Sequence, residues 1–280
     1  MVGGEVTEAI ALRHPPIVRD YTIALWLLKL GVPINLYFLI NTPLFTAGDP
    51  DAAVVVPALI LFAVSAYRCL LPVRYEHHVV FHESFFSSIF VTRLLATFAE
   101  IAWIFLFAHV LRLLNLNRVE WVTAVSWLMV AQVVVCQGIV WTAIVTERHE
   151  LYFFEELGWV VIFIANAVAS AYLYLTVGSA LGGKEVLLLL SVLFGIAYLP
   201  FEGAHLASLR AEIRNNRAQT TTAPASMRLA TGLKRSMMVK NRRTHAEAWG
   251  GFVGLTWMFG YCATLVPVWI YYIVRALGSR

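Results

Sequence analysis

The sequence predicts an all-α polytopic membrane protein, a single domain of seven transmembrane helices over residues 1–280. Three observations predict it. Hydrophobic residues make up 60% of the chain and charged residues 14%, whereas a soluble domain carries about 25% charge. Mean hydropathy is +0.72. Seven apolar stretches are long enough to cross a bilayer, which takes about 20 residues each.

The stretches are 21–45, 52–71, 85–111, 119–145, 154–181, 185–207 and 249–274. Lipid offers no water to unpaired backbone groups, so each must be a helix. None alternates polar and apolar residues, which excludes a membrane barrel. The first begins near Tyr21 and runs too long for a signal peptide, with no small-residue cleavage site at its end. It is expected to be a retained span. Pro33 and Pro200 are expected to interrupt the first and sixth helices and to free carbonyls toward a cavity. Gly178 with Gly182, and Gly250 with Gly254, are spaced for close helix packing. Cys69, Cys136 and Cys262 all fall inside apolar stretches and read as small hydrophobes, not as a disulfide framework.

Basic residues in loops set orientation. The loop at 208–244 carries Arg210, Arg214, Arg217, Arg228, Lys234, Arg235, Lys240, Arg242 and Arg243. Placed in the cytoplasm, it brings Arg13, Arg19, Arg68, Arg74 and Arg148 to the same side, 14 of the 21 Lys and Arg. The N-terminus is therefore expected to be cytoplasmic and the C-terminus to lie on the opposite side. The basic flanks of the loop suit contact with anionic lipid, around the polar run Thr220–Ser226. The loop is also where a protein partner would dock. The net charge of +4 is spread over such loops, so it reports orientation and excludes a nucleic-acid role.

Charge inside a span marks a site or a pathway. Lys29 lies in the first stretch, Arg93 and Glu100 in the third, and Glu202 near the end of the sixth. Arg93 and Glu100 are seven apart and share a helical face. They are expected to pair, and to orient a substrate or handle protons. Gln132, Gln137, Asn166, Asn35 and Asn41 add uncharged polar groups. These positions predict a cavity bounded by helices one, three, four and six.

Seven of the eight histidines fall on the expected cytoplasmic side, His109 being the exception. His77, His78 and His82 precede the third stretch, and His149 stands among Glu147, Glu150, Glu155 and Glu156. His205 follows Glu202 by three, and His245 precedes Glu247. A helix over 74–84 would put His78 and His82 on one face, as Glu202 and His205 would be. An i,i+4 His pair and an E-x-x-H pair on separate helices are donor sets that metal sites in bundles use. The expected ligands are His78, His82, His149, Glu202, His205 and His245, and such N and O donors suit zinc, iron or manganese. The histidine run differs in order from the boxes of membrane desaturases and hydroxylases, and no second box follows.

Other chemistries are excluded by what the sequence lacks. The last stretch has no lysine for a retinal Schiff base, and there is no G-x-S-x-G or P-loop motif. The function these residues point to is an integral membrane enzyme acting on a lipid or isoprenoid substrate. Glu100, Arg93 and Glu202 are its candidate catalytic groups. Two other classes compete: a non-catalytic subunit of a larger membrane complex, and a proton-coupled transporter or channel using Lys29, Arg93 and Glu100.

Overall fold

The computed structural model describes residues 19–75, 78–219, 229–238 and 240–279. Arg13, His77, the run Thr220–Ser226 and Arg228 lie outside the described residues. Among the described residues seven helical spans are long and apolar enough to cross a membrane: Thr22–Phe45, Ala52–Leu70, Ile89–Leu114, Glu120–Thr146, His149–Ala180, Glu185–Ala211 and Gly251–Leu277. The chain is a polytopic, all-α membrane protein. Large side chains such as Ile23, Leu44 and Leu175 remain exposed around its belt, where lipid would cover them.

Neighbouring spans pack in chain order from the first to the sixth, and the seventh returns against the first and second. The sixth runs along the fifth, but the sixth and seventh backbones seldom come within 8 Å of each other. Aromatic rings bridge that separation. Trp257 lies 5.7 Å from Tyr198 and 6.4 Å from Phe201, and Trp269 lies 5.1 Å from Phe194.

Two spans are broken. The first divides into helices Thr22–Leu28 and Gly31–Phe45. The break falls at Lys29–Leu30, before Pro33 rather than at it. Pro33 sits in the first turn of the second piece, where a missing N–H leaves no bond unmade. The seventh divides at a π-helical turn, Phe259–Ala263. Asn35 joins the two breaks: its Nδ2 donates to Gly31 O at 2.7 Å and Cys262 O at 2.8 Å. That buried amide ties the start of the second helical piece to the π turn of the seventh span. Pro200, by contrast, lies inside a continuous helix, Glu185–Gln219, so the expected interruption there is corrected.

The G-x-x-x-G expectation is corrected as well. Gly178 opens a 3-10 turn and Gly182 has φ +58°, so this pair builds a turn between the fifth and sixth spans. Gly250 has φ +76° and caps the start of the seventh span.

One end of the bundle carries a small sheet. Strands β1 (Val73–Arg74), β2 (Val79–Val80) and β3 (Asn241–Arg242) lie in that order, β1–β2 antiparallel and β2–β3 parallel. The described residues of 74–84 are therefore strand, turn and bend, not the expected helix, and His78 and His82 share no helical face. The Asn241 N–H donates to His78 O at 2.9 Å, which ties the basic loop to the sheet. Within the loop a short helix, Leu229–Met238, packs under the third and fourth spans. Arg235 Nε stands 3.1 Å from Glu147 Oε1.

Candidate functional site

At the sheet end the bundle encloses a cavity of about 160 Å³. That admits several waters or a small headgroup, since one water needs at least about 10–15 Å³ of such space. Its lining comes from β1 and from the second, third, fifth, sixth and seventh spans. None of its lining residues belongs to the first or fourth span, so the expected four-helix boundary is corrected.

Glu202 and His205 share one face of the sixth span, as their i,i+3 spacing requires. They meet Glu156 of the fifth. The three side chains each offer a ligand atom, all within 4.8 Å of one another. His205 Nε2 stands 3.5 Å from Glu156 Oε1. Two ligands each about 2.1 Å from one tetrahedral ion would stand roughly 3.4 Å apart, so this spacing fits a shared ion. Glu202 is 2% exposed, and its Oε1 is buried without a hydrogen-bond partner. A buried carboxylate oxygen left bare is costly, and a cation would satisfy it.

The other expected ligands do not join this group. His78 lies in a β-turn with φ +53°. The His82 ring packs 4.6 Å from Phe81 and 6.0 Å from Trp26. His149 opens the fifth span, 6.2 Å from the Tyr152 ring. His245 stands before the 3-10 turn Ala246–Trp249, and its backbone pairs antiparallel with that of Asp20. Among the described residues no other trio of metal-ligating side chains converges in the same way.

Deeper in the same cavity lie Arg93 and Glu100. Arg93 Nη1 donates to Glu100 Oε1 at 3.2 Å and Nη2 to Oε2 at 2.7 Å. Gln137 of the fourth span closes the set: its Nε2 donates to Glu100 Oε2 at 3.0 Å and its Oε1 accepts from Arg93 Nη2. A two-point, charge-assisted pair with a third partner holds its geometry in a dry interior. Arg68, in the last turn of the second span, approaches Glu100 Oε1 at 3.8 Å. Its guanidinium lies 4.9 Å above the Tyr261 ring and 5.8 Å above that of Tyr75. Glu155 stands between the two groups: Trp159 Nε1 donates to its Oε1 at 3.2 Å, and both Arg93 and Glu156 are close enough to act on it.

Lys29 lies elsewhere. Its Nζ sits 3.7 Å over the Trp26 ring, and it is not among the cavity's lining residues. The pathway of Lys29, Arg93 and Glu100 is therefore not a single lined space in this structure.

Glu156, Arg68, Tyr75, Trp103 and Tyr261 line the cavity and are not among the residues expected to form the site. Adjacent acids at the entrance of an apolar stretch were the available signal for Glu156. An arginine inside the last turn of a span was the signal for Arg68, which counts as intramembrane charge as much as loop charge. The aromatic residues carry no such mark.

No family model, curated protein or solved structure matches the chain.

Proposed function

We propose that this chain is an integral membrane enzyme whose Glu156, Glu202 and His205 hold a divalent metal. In this reading it acts on a lipid or isoprenoid substrate admitted to the cavity. One observation carries it: the three donors converge in a cavity that the Arg93–Glu100 pair also lines. Two carboxylates and an imidazole leave coordination positions open, the pattern of catalytic rather than structural sites. Zinc, iron and manganese are the ions such a donor set suits. A metal bound there would supply Lewis-acid polarisation or an activated water at neutral pH.

The residues divide the remaining work. Arg93, fixed by Glu100 and Gln137, orients a polar group of the substrate. Glu155, placed between the two charged groups, is positioned to take or give a proton. The backbones of the sixth and seventh spans stand apart, and an apolar chain would enter there by displacing the Phe201–Trp257 ring contact. The excess of Arg and Lys around the sheet end supports placing that end in the cytoplasm.

The test is the metal content of detergent-purified protein after exposure to Zn²⁺, Fe²⁺ or Mn²⁺. About one ion per chain is expected, with stoichiometry collapsing in Glu202→Gln and His205→Ala. Wild-type protein that retains none of the three ions overturns the metal-dependent reading.

A further inference from the structure

The metal-ligand trio accounts for one end of the cavity. The other end is an excess of hydrogen-bond donors. Arg93 Nε, Trp103 Nε1, and the hydroxyls of Tyr75 and Tyr261 are all buried and have no partner. All four residues line the same cavity. Arg93, Trp103 and Tyr261 are each 2% exposed or less.

The acceptors nearby are already taken. Both oxygens of Glu100 receive hydrogen bonds from Arg93, and one also receives the amide of Gln137. Indole and guanidinium nitrogens can only donate. Two arginines, Arg68 and Arg93, share the carboxylate of Glu100, at 3.8 Å and 2.7 Å, and Glu155 also acts on Arg93. One oxygen of Glu155 is taken by the Trp159 indole. Leaving such donors bare is expensive in a dry interior. Water would satisfy them in part, but each water brings two donors of its own. An oxyanion brings acceptors and negative charge together.

We infer that the Arg68–Arg93 end binds the oxyanion headgroup, phosphate or carboxylate, of an amphiphile. This deepens the enzyme reading by naming the substrate class. The apolar chain leaves between the sixth and seventh spans. There the backbones stand apart, and none of the residues Gly251–Met258 is fully buried. The aromatic wall of Phe201 and Trp257 lies at that opening.

The headgroup assignment is tested in a neutral detergent with a chelator present, so metal occupancy plays no part. Dodecyl phosphate, dodecanoate, dodecyltrimethylammonium and inorganic phosphate are titrated, and binding is read from tryptophan fluorescence, since Trp103, Trp159, Trp249 and Trp257 line the cavity. The two anionic amphiphiles are expected to bind. Affinity should fall on the order of 10- to 100-fold in Arg68→Gln, the loss of a charge-assisted hydrogen bond. Tyr261→Phe, which removes one hydroxyl and keeps the ring, should weaken binding less and keep the fold. Equal binding of dodecyltrimethylammonium overturns the anion assignment. Inorganic phosphate binding as tightly as dodecyl phosphate overturns the amphiphile. Failure of both anionic amphiphiles to bind folded protein overturns the whole inference. Protein that takes up none of Zn²⁺, Fe²⁺ or Mn²⁺ in the metal-content test yet binds dodecyl phosphate here would sink the metal reading and leave this one standing.

Discussion

Arg93 and Glu100, two helical turns apart on the third span, form a two-point ion pair sealed by Gln137. Removing one partner strands a buried charge, which costs about 3–5 kcal/mol. Glu100→Leu is expected to lower the unfolding temperature in detergent sharply, because Arg93 and Arg68 then lose the carboxylate they share. Arg93→Met combined with Glu100→Leu should recover part of the loss, and not all of it, since Arg68 loses its 3.8 Å neighbour. Thermal unfolding of the single and double variants measures this. A double variant no more stable than Glu100→Leu would mean the two residues are uncoupled.

Gly31 begins the second piece of the first span where three spans meet. A Cβ there would sit 2.5 Å from Cys69 Sγ and 2.7 Å from Ala263 Cβ. Forcing in a side chain should cost about 1–3 kcal/mol for Ala and more for Val, because packed interiors resist overfilling. Gly138→Ala is the matched control, since nothing lies within 4 Å of a Cβ at that position. Unfolding temperatures that drop equally for both glycines would show that the crossing at Gly31 is not tight.

The spans were legible because a bilayer demands long uninterrupted apolar runs, and no other solvent does. The pairing of Arg93 with Glu100 was legible because both lie on one helix, where spacing sets the face. So was the shared face of Glu202 and His205. What spacing cannot supply is the partner from another element. Glu156 joins the trio only because the fifth and sixth spans pack side by side. Tyr75 and Tyr261 meet Arg68 only because the sheet and the π turn bring them there. His78 and His82 were misplaced for a local reason. Val79 and Val80 are β-branched and pair with the loop strand at Asn241–Arg242, so the segment is strand and not helix. The break at Phe259–Ala263 left one trace, Pro267 in the first turn of the helix that follows, where its missing N–H leaves no intrahelical bond unmade.

The short helix of the basic loop depends on one glycine. A Cβ on Gly232 would run into the carbonyl oxygen of Val145, at the end of the fourth span. Gly232→Ala is therefore expected to lift Leu229–Met238 from the bundle while the spans stay folded. Trypsin cleavage after Lys234 and Arg235 should accelerate severalfold, with little change in the unfolding temperature. Intrinsic propensity acts the other way, since alanine favours a helix over glycine by about 1 kcal/mol. Slower cleavage would show that propensity outweighs docking at this site.

His82 offers a pH response that can be separated from the cavity. Burial holds its imidazole below the ordinary histidine value of 6.5, and the charges of Lys29 and Arg242 push it the same way. The ring packs edge-on to Phe81 and Trp26, and protonation would set a third cation among them. The unfolded chain takes up this proton near pH 6.5, before the folded one does. Stability should therefore be full above that pH and decline as pH falls through it. His82→Gln removes the titration, so its unfolding temperature should fall less between pH 7 and pH 5 than that of wild type. Parallel curves for the two proteins over that range would assign the acid response to other groups.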